Sequence, residues 1–432
     1  MIAQKAQDTP LERVRVLQRK LYLSAKANRG RKYGVLYDKV KSEEVIREAW
    51  KRVSSKGGCA GVDGKSIKWI REEHGVERYL EEIKESLDTE RYRPDKIRRC
   101  YIAKSDGRKR PLGIPTITER VIQMAAKLVI EPIFEADFQE CSFGFRPKRS
   151  THQALREVDK RLWWGCRWVI DLDLSRYFDT IPHERLLKLV QRRIIDPKVL
   201  KLIRWWLKAG ILEDGKVIYS DLGTPQGGVL SPLLSNIYLN ELDTEWTKRG
   251  YAKRWVADCH LIRYADDLVI LCSTEGRART FYPKVEGILT GLELKVNIQK
   301  TRIVHASEGF DFLGFSYKMG YSTRLKKEVP VKIPRAKAMK SMRRRIKEVV
   351  KEIPLGKDIR EGIKAINIRL KGWANYFRVG NISIASQSLT HYACSQLRLS
   401  MRRKYQMKNR RGYERFPDNY FFERGLYYAS SL

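Results

Sequence analysis

Apolar positions along the chain switch between helical and strand spacing, and the switches divide it into elements. Leu11, Val14, Leu17 and Leu21 recur every three or four residues and predict a helix near the start. The run Gly57-Gly58-Cys59-Ala60-Gly61-Val62-Asp63-Gly64 is a turn cluster that opens a new unit, and a long polar helix follows over 76–89. From Tyr101 to Pro115 the pattern is strand, glycine turn, strand. Residues 116–136 predict an amphipathic helix, and Ser150 or Thr151 caps another that runs to about Arg161. Trp168-Val169-Ile170-Asp171-Leu172-Asp173-Leu174 alternates as a strand with both acids on one face. Pro182 opens a helix, and Trp205 to Tyr219 reads as a helix end and a hairpin. A glycine-rich loop spans Gly223 to Pro232, where Ser231 as N-cap and Pro232 at the first helical position launch a helix to about Lys248.

The most informative pattern is Ile262-Arg263-Tyr264-Ala265-Asp266-Asp267-Leu268-Val269-Ile270-Leu271. Two apolar strands flank a turn at Ala265-Asp266, so the hairpin holds two adjacent carboxylates at its tip. Beyond it lie a helix near 276–291, the polar run Val296 to Thr301, and Phe312-Leu313-Gly314-Phe315 as a short apolar strand. Three helices close the chain. One carries the stripe Met339, Met342, Ile346, Val349. The next carries Ile359, Ile363, Ile366, Leu370, Trp373, and the third spans about 386–405.

At 432 residues the chain exceeds one compact core and predicts two to four domains. Its 87 Lys and Arg against 51 Asp and Glu leave a net charge of +36, far more than solubility requires, which points to a polyanionic partner. No apolar span reaches roughly 18 residues and no signal peptide is legible, so a membrane is not the expected partner. The 10 Trp and 21 Tyr among the cations favour nucleic acid, because rings stack on unpaired bases. The seven cysteines are odd in number and form no C-x-x-C, which argues against a disulfide framework or a structural zinc and for a reducing compartment. Residues 321–432 hold 27 Lys and Arg against 8 Asp and Glu, over half the surplus.

These observations give the motifs chemical meaning. Adjacent carboxylates repel unless a cation lies between them, so Asp266 and Asp267 suggest a divalent metal. An acid inside an apolar strand likewise needs a charged partner, which makes Asp173 a third candidate ligand. Lys104 and Arg110 face each other across the hairpin turn and suit a triphosphate. Arg29, Arg31 and Lys32 form a basic loop after the first helix. Arg146 lies in the aromatic loop Cys141-Ser142-Phe143-Gly144-Phe145-Arg146-Pro147. Arg343 and Arg344 point away from their helix stripe, and Arg402 and Arg403 open a basic tail with Tyr405 and Tyr413; all are candidate contacts to a nucleic-acid backbone.

Taken in order, the basic hairpin, the Phe-Arg loop, Asp173 with Phe178 five residues on, the Pro225-Gln226-Gly227 loop, Tyr264-Ala265-Asp266-Asp267 and Lys300 closely resemble reverse transcriptases of the group II intron-encoded class. The resemblance covers about 57–317, and Lys371-Gly372-Trp373-Ala374-Asn375-Tyr376-Phe377 is similar to the maturase-specific thumb of that class. It implies an α+β right-hand polymerase, with fingers, a palm built on an antiparallel sheet and a helical thumb. The implied divisions are a basic extension at 1–56, fingers with palm segments at 57–165, palm at 166–320, thumb or maturase domain at 321–385, and the end of the thumb with a basic tail at 386–432. Asp173, Asp266 and Asp267 would be the catalytic, metal-binding acids, with Leu174 beside Asp173 in the metal site. Lys104, Arg110, Phe178, Gln226 and Lys300 would bind the nucleotide, Phe178 crowding the sugar's 2′ position.

The implied cofactor is a pair of Mg²⁺ ions, with Mn²⁺ able to substitute. The implied partners are an RNA template, a DNA or RNA primer, dNTPs, a group II intron RNA and target DNA. A bacterial cytoplasmic, nucleoid-associated setting follows from these. No His-Asn-His endonuclease with cysteine pairs is legible, so priming from nicks, forks or broken ends is the expectation. Two alternatives share the same core: a splicing cofactor with incidental polymerase activity, and a domesticated enzyme serving DNA repair or defence.

Overall fold

A computed structural model describes residues 9–103, 109–213, 215–224, 227–354, 356–407 and 411–428, the side chains of Ala103, Arg110 and Arg411 excepted. The chain divides into two compact units. The first comprises Met1–Ala154, Leu172–Ile270 and Gly276–Thr301; the second comprises Leu155–Asp171, Leu271–Glu275 and Arg302–Leu432. Strands are numbered along the chain: β1 Ile97–Ala103, β2 Lys109–Ile114, β3 Trp168–Asp173, β4 Ile211–Glu213, β5 Lys216–Ile218, β6 Cys259–Tyr264, β7 Asp267–Cys272, β8 Arg302–His305, β9 Phe310–Phe312, β10 Phe315–Ser322 and β11 Lys327–Pro334.

Two helices form the core of the first unit. Ile117–Glu135 buries Val121, Ile122, Ala125, Val129 and Ile133, on nearly every face, and Ser231–Lys248 buries Leu234, Tyr238, Leu239, Leu242 and Trp246. Helices buried all round need neighbours on all sides. Ile117–Glu135 has them in Pro10–Ala27 and Glu43–Lys56. The N-terminal helix begins at a capping box between Thr9 and Glu12, with Pro10 in its first turn, and turns Val14 inward as its spacing predicts. Ser231 is the first residue of its helix rather than the N-cap, which is Leu230. The sheet of this unit runs β2-β1-β4-β5, with β1 antiparallel to β2 and parallel to β4.

A second sheet has the order β6-β7-β3-β8, in which Trp168 lies opposite His305 and Asp171 opposite Arg302. The second unit holds the sheet β11-β10-β9 and three mutually packed helices, Ala336–Glu352, Ile359–Phe377 and Ser383–Lys404. Their apolar stripes meet: Met342 and Ile346, Ile363 and Ile366, and Leu389, Ala393 and Leu397 are all buried.

The α+β class expected from the sequence is what the chain adopts. Two local expectations change. Phe312 and Phe315 do not share a strand, because Leu313 at φ 47° and Gly314 at φ 83° make a tight turn between β9 and β10. The basic tail, expected to offer Arg402 and Arg403 to a nucleic-acid backbone, packs back on the helix Ser383–Lys404. Arg398 reaches the carbonyl of Phe416 and the carboxylate of Asp418, and Phe416 and Phe421 are buried. Arg402 is drawn into this packing: a Cβ at Gly412 would lie 2.6 Å from its Cδ, and its buried Nε has no hydrogen-bond partner among the described residues. Arg403 stays exposed.

Candidate active site

Asp173 ends β3, and the polar run 296–301 folds around it. The Asp173 carbonyl accepts a hydrogen bond from the Asn297 amide at 2.8 Å, and its own amide donates to Thr301 Oγ1 at 3.2 Å. On the carboxylate, Asn297 Nδ2 and Lys300 Nζ each reach Oδ2 at 3.1 Å. A bridge from Leu174 to Val296 and a bond from the Ser175 amide to the Lys295 carbonyl continue the pairing. The side chain stays 38% exposed, so it is oriented but open to a ligand.

The paired acids sit as their pattern predicts. β6 and β7 form the hairpin, Ala265-Asp266 makes its turn, and Asp267 starts β7 in an exposed position. Strand order makes β7 the neighbour of β3. Asp266 also acts electrostatically on Tyr177, four residues past Asp173. That phenol's pKa is raised, chiefly by burial, with Asp266 pushing it further up and Arg263 opposing.

The turn is braced from behind by a fully buried network. Arg263 and Asp243 form an ion pair with neither side chain exposed. Arg263 Nη1 also donates to Asn236 Oδ1 at 3.0 Å and to the Ala265 carbonyl at 3.1 Å. Asn236 Nδ2 in turn donates to the Gly144 carbonyl at 2.8 Å. Burial alone would lower the Arg263 pKa, but the Asp243 charge and hydrogen bonds outweigh it and leave it raised. The aromatic loop is hydrogen-bonded alongside β6, Phe143 N donating to the Arg263 carbonyl and Arg263 N to the Cys141 carbonyl, both at 2.8 Å. It runs so close that a Cβ at Gly144 would lie 2.4 Å from the Ala265 nitrogen. Ala265 itself has φ 57°, a left-handed value costly for a residue with a Cβ.

The glycine loop is anchored at both ends. Gly223 N donates to the Ile181 carbonyl at 2.8 Å and Thr224 N to the Phe178 carbonyl at 2.7 Å. A Cβ at Gly223 would lie 2.9 Å from the Phe178 oxygen, and one at Gly227 would lie 2.1 Å from the Gly113 oxygen in β2. Phe178 is half-buried, its ring edge-on to Tyr177 at 5.4 Å. Gln226 and Lys104 lie outside the described residues; the backbone of Arg110 stands in β2 opposite Ile102.

One candidate contact is overturned. Arg146 is 7% exposed, and its guanidinium bridges Glu135 and the carbonyls of Gln139 and Ser142, 5.2 Å above the Phe138 ring. Its donors are spent on the end of the preceding helix and on nearby carbonyls, so it holds the loop rather than a phosphate. Arg29, Arg31, Lys32, Arg343 and Arg344 are exposed. Arg344 pairs with Glu348 one turn on, and Arg343 donates to Ser388 Oγ. Sequence reasoning missed Asn297, Thr301, Asn236 and the Arg263–Asp243 pair. The order Val296-Asn297-Ile298-Gln299-Lys300-Thr301 held a signal for the first two, since its polar side chains lie at turn spacing.

The candidate ligands are carboxylate oxygens, the donor type taken by magnesium and manganese. A lysine ammonium already rests against Asp173. The chemistry of these donors therefore fits a hard divalent cation.

Residues 102–317 match the family model described as reverse transcriptase (RNA-dependent DNA polymerase), and residues 339–416 match the group II intron, maturase-specific domain. The chain is 38% identical over 332 residues to Protein YkfC of Escherichia coli (strain K12), a match covering 69% of this chain and 86% of that one. It is 47% identical over 168 residues to the group II intron-encoded protein LtrA of Lactococcus lactis subsp. cremoris, covering 39% of this chain and 28% of the relative. It is 28% identical over 431 residues to an uncharacterized 91 kDa protein in a cob intron of Schizosaccharomyces pombe, covering 84% of this chain and 51% of that one. Among the described residues, no helix is long and apolar enough to cross a membrane.

Proposed function

The chain belongs to the reverse transcriptase family, with a group II intron maturase-specific region behind its polymerase region, and we propose that it copies RNA, a group II intron in particular, into DNA. The observation that carries this reading is strand adjacency: Asp173 ends β3, and the Asp266-Asp267 turn opens β7 beside it. Asp173, Asp266 and Asp267 are the acids we assign to hold two Mg²⁺ ions, with Leu174 at the same strand end. When bound, such a metal pair activates the attacking hydroxyl and neutralises charge on the leaving oxygens.

The chain's own residues supply position. Asn297 and Thr301 fix Asp173. Lys300, 54% exposed and on the Asp173 carboxylate, is placed to exchange that partner for a triphosphate oxygen. Phe178, half-buried and tied to the glycine loop through its carbonyl, would exclude a 2′-hydroxyl by contact rather than by a hydrogen bond. Lys104, Arg110 and Gln226 complete the proposed nucleotide site. The exposed Arg29, Arg31, Lys32, Arg343, Arg344 and Arg403 are proposed phosphate contacts for template, primer and intron RNA. For the thumb we propose a start near 335, because β10 and β11 form one hairpin across residue 321.

The test is primer extension on an RNA template with dNTPs and Mg²⁺. Asp266→Ala abolishes synthesis and leaves primer–template binding nearly intact. Polymerisation by that variant would refute the metal assignment. Splicing of the intron RNA supported equally by both proteins would make the maturase role separable.

A further inference from the structure

The helix Thr151–Trp163 ends in a way that the polymerase reading does not use. Cys166 N donates to the Arg161 carbonyl at 3.0 Å, Gly165 N to the Leu162 carbonyl at 3.1 Å, and Gly165 has φ 91°. This is a Schellman ending, with glycine at its left-handed position. Its last helical residue and its cap are Trp163 and Trp164. Both rings face solvent, 46% and 64% exposed. A tryptophan is among the largest apolar surfaces a chain can bury, so two adjacent exposed ones on a rigid cap are not explained by folding.

Cations frame the pair. Lys160 Nζ lies 4.6 Å and the Arg161 guanidinium 5.0 Å from the Trp164 ring, and Lys327 Nζ of β11 lies 4.9 Å from the Trp163 ring. The nearby carboxylates are already matched: Glu157 by Arg161, Glu328 by Arg167 and Asp159 by Lys332. Lys160 and Lys327 have no carboxylate partner among the described residues, and the β10–β11 turn adds exposed Arg324 and Lys326. Flat rings, each with an uncompensated ammonium group over it, match two features of an unpaired nucleotide, a base that can stack on the remaining ring surface and a phosphate.

We propose that Trp163 and Trp164, with Lys160 and Lys327, form a stacking platform for single-stranded RNA, made of none of the residues assigned above to nucleotide addition. The choice of RNA rests on the function proposed above: the DNA made by such an enzyme stays paired to its template, so the unpaired strand it must manage is RNA.

The experiment uses the full chain, first saturated with a chain-terminated primer–template, then titrated with a labelled oligo(rU) of about 12 nucleotides, within the span that one stacking surface covers. The Trp163→Ala/Trp164→Ala protein binds it on the order of 100-fold more weakly than wild type, since each of the two base–ring stacks carries roughly a tenfold factor. Trp163→Phe/Trp164→Phe recovers most of the loss, and primer extension on a short template is the same in all three proteins. Unchanged oligo(rU) affinity in the double-alanine protein overturns the proposal, as does a phenylalanine protein no better than the alanine one. Oligo(dU) held as tightly as oligo(rU) overturns the assignment to RNA. Failure of the wild-type protein to extend any primer on RNA would instead strike the polymerase reading and is seen in a separate assay.

Discussion

Arg263 and Asp243 meet as an ion pair with no solvent access, directly behind the turn that carries Asp266. Removing one partner of a fully buried pair strands the other charge, at a cost of about 3–5 kcal/mol. Arg263→Met is therefore expected to destabilise the protein by about that amount in urea titration. Asp243→Asn also strands the guanidinium charge and turns one of the two accepting oxygens into a donor, so it should lose a comparable amount. The activity remaining in folded Asp243→Asn protein reports on turn geometry alone.

Gly144→Ala is expected to reduce the rate of nucleotide addition by more than tenfold, while primer–template affinity stays within a factor of about two. The added methyl would fall 2.4 Å from the Ala265 backbone, so the acidic turn must shift. A displacement of about 1 Å near reacting groups can cost 100-fold. Single-turnover kinetics separates the rate from the affinity.

Asn297→Ala removes a 3.1 Å bond to the Asp173 carboxylate and should raise the Mg²⁺ concentration giving half-maximal activity, by about tenfold. The loss should shrink at saturating Mg²⁺. A fall in maximal rate with an unchanged Mg²⁺ requirement would mean that Asn297 serves the backbone of the 296–301 turn instead.

Phe178→Ala is expected to raise the ratio of ribonucleotide to deoxyribonucleotide incorporation, by roughly 10-fold to 100-fold, the scale of a lost steric contact. The measurement is competitive extension with matched rNTP and dNTP. An unchanged ratio would remove Phe178 from the sugar site.

Glu119 gives a pH signature remote from the acids. Burial is the main reason its pKa is raised from 4.5 to about 7, even though Tyr92 OH donates to it at 2.6 Å and Asp95 N at 3.2 Å. Folding therefore holds a proton that the unfolded chain releases near 4.5. This group's contribution is fully present below that value and is lost as pH rises through about 7. Glu119→Gln should flatten thermal stability between pH 5 and pH 7, pH values bracketed by about 4.5 and 7, and should raise the Tm relative to wild type at about pH 8.

How far the molecule was readable in advance depended on the range of each interaction. The β6–β7 hairpin and Asp173 were legible because alternation and adjacent acids are local signals. The bracing of that hairpin was not, because it joins three separate segments: Gly144 of the aromatic loop, Asn236 and Asp243 of the helix Ser231–Lys248, and Arg263 of β6. Arg146 misled for the same reason: its partner Glu135 lies on the preceding helix, and nothing within the loop announces a buried guanidinium. Strand β11 was missed because Pro330 and a run of charges break the usual strand pattern. Its place at the edge of the β11-β10-β9 sheet is where a strand tolerates proline. Boundaries moved by single residues, as Ser231 shows, since helix ends depend on cap geometry.

Gly223 and Gly227 each sit against another segment's carbonyl oxygen, one at Phe178 and one at Gly113. Neither position has room for a side chain, so each is a mooring that holds its own end of the loop. Its register is then inherited from strand β2 on one side and from the segment after Asp173 on the other. A substitution that shifts either mooring would alter substrate choice without touching a substrate-contacting residue, which makes variants around Gly113 and Ile181 a route to retuning fidelity from a distance.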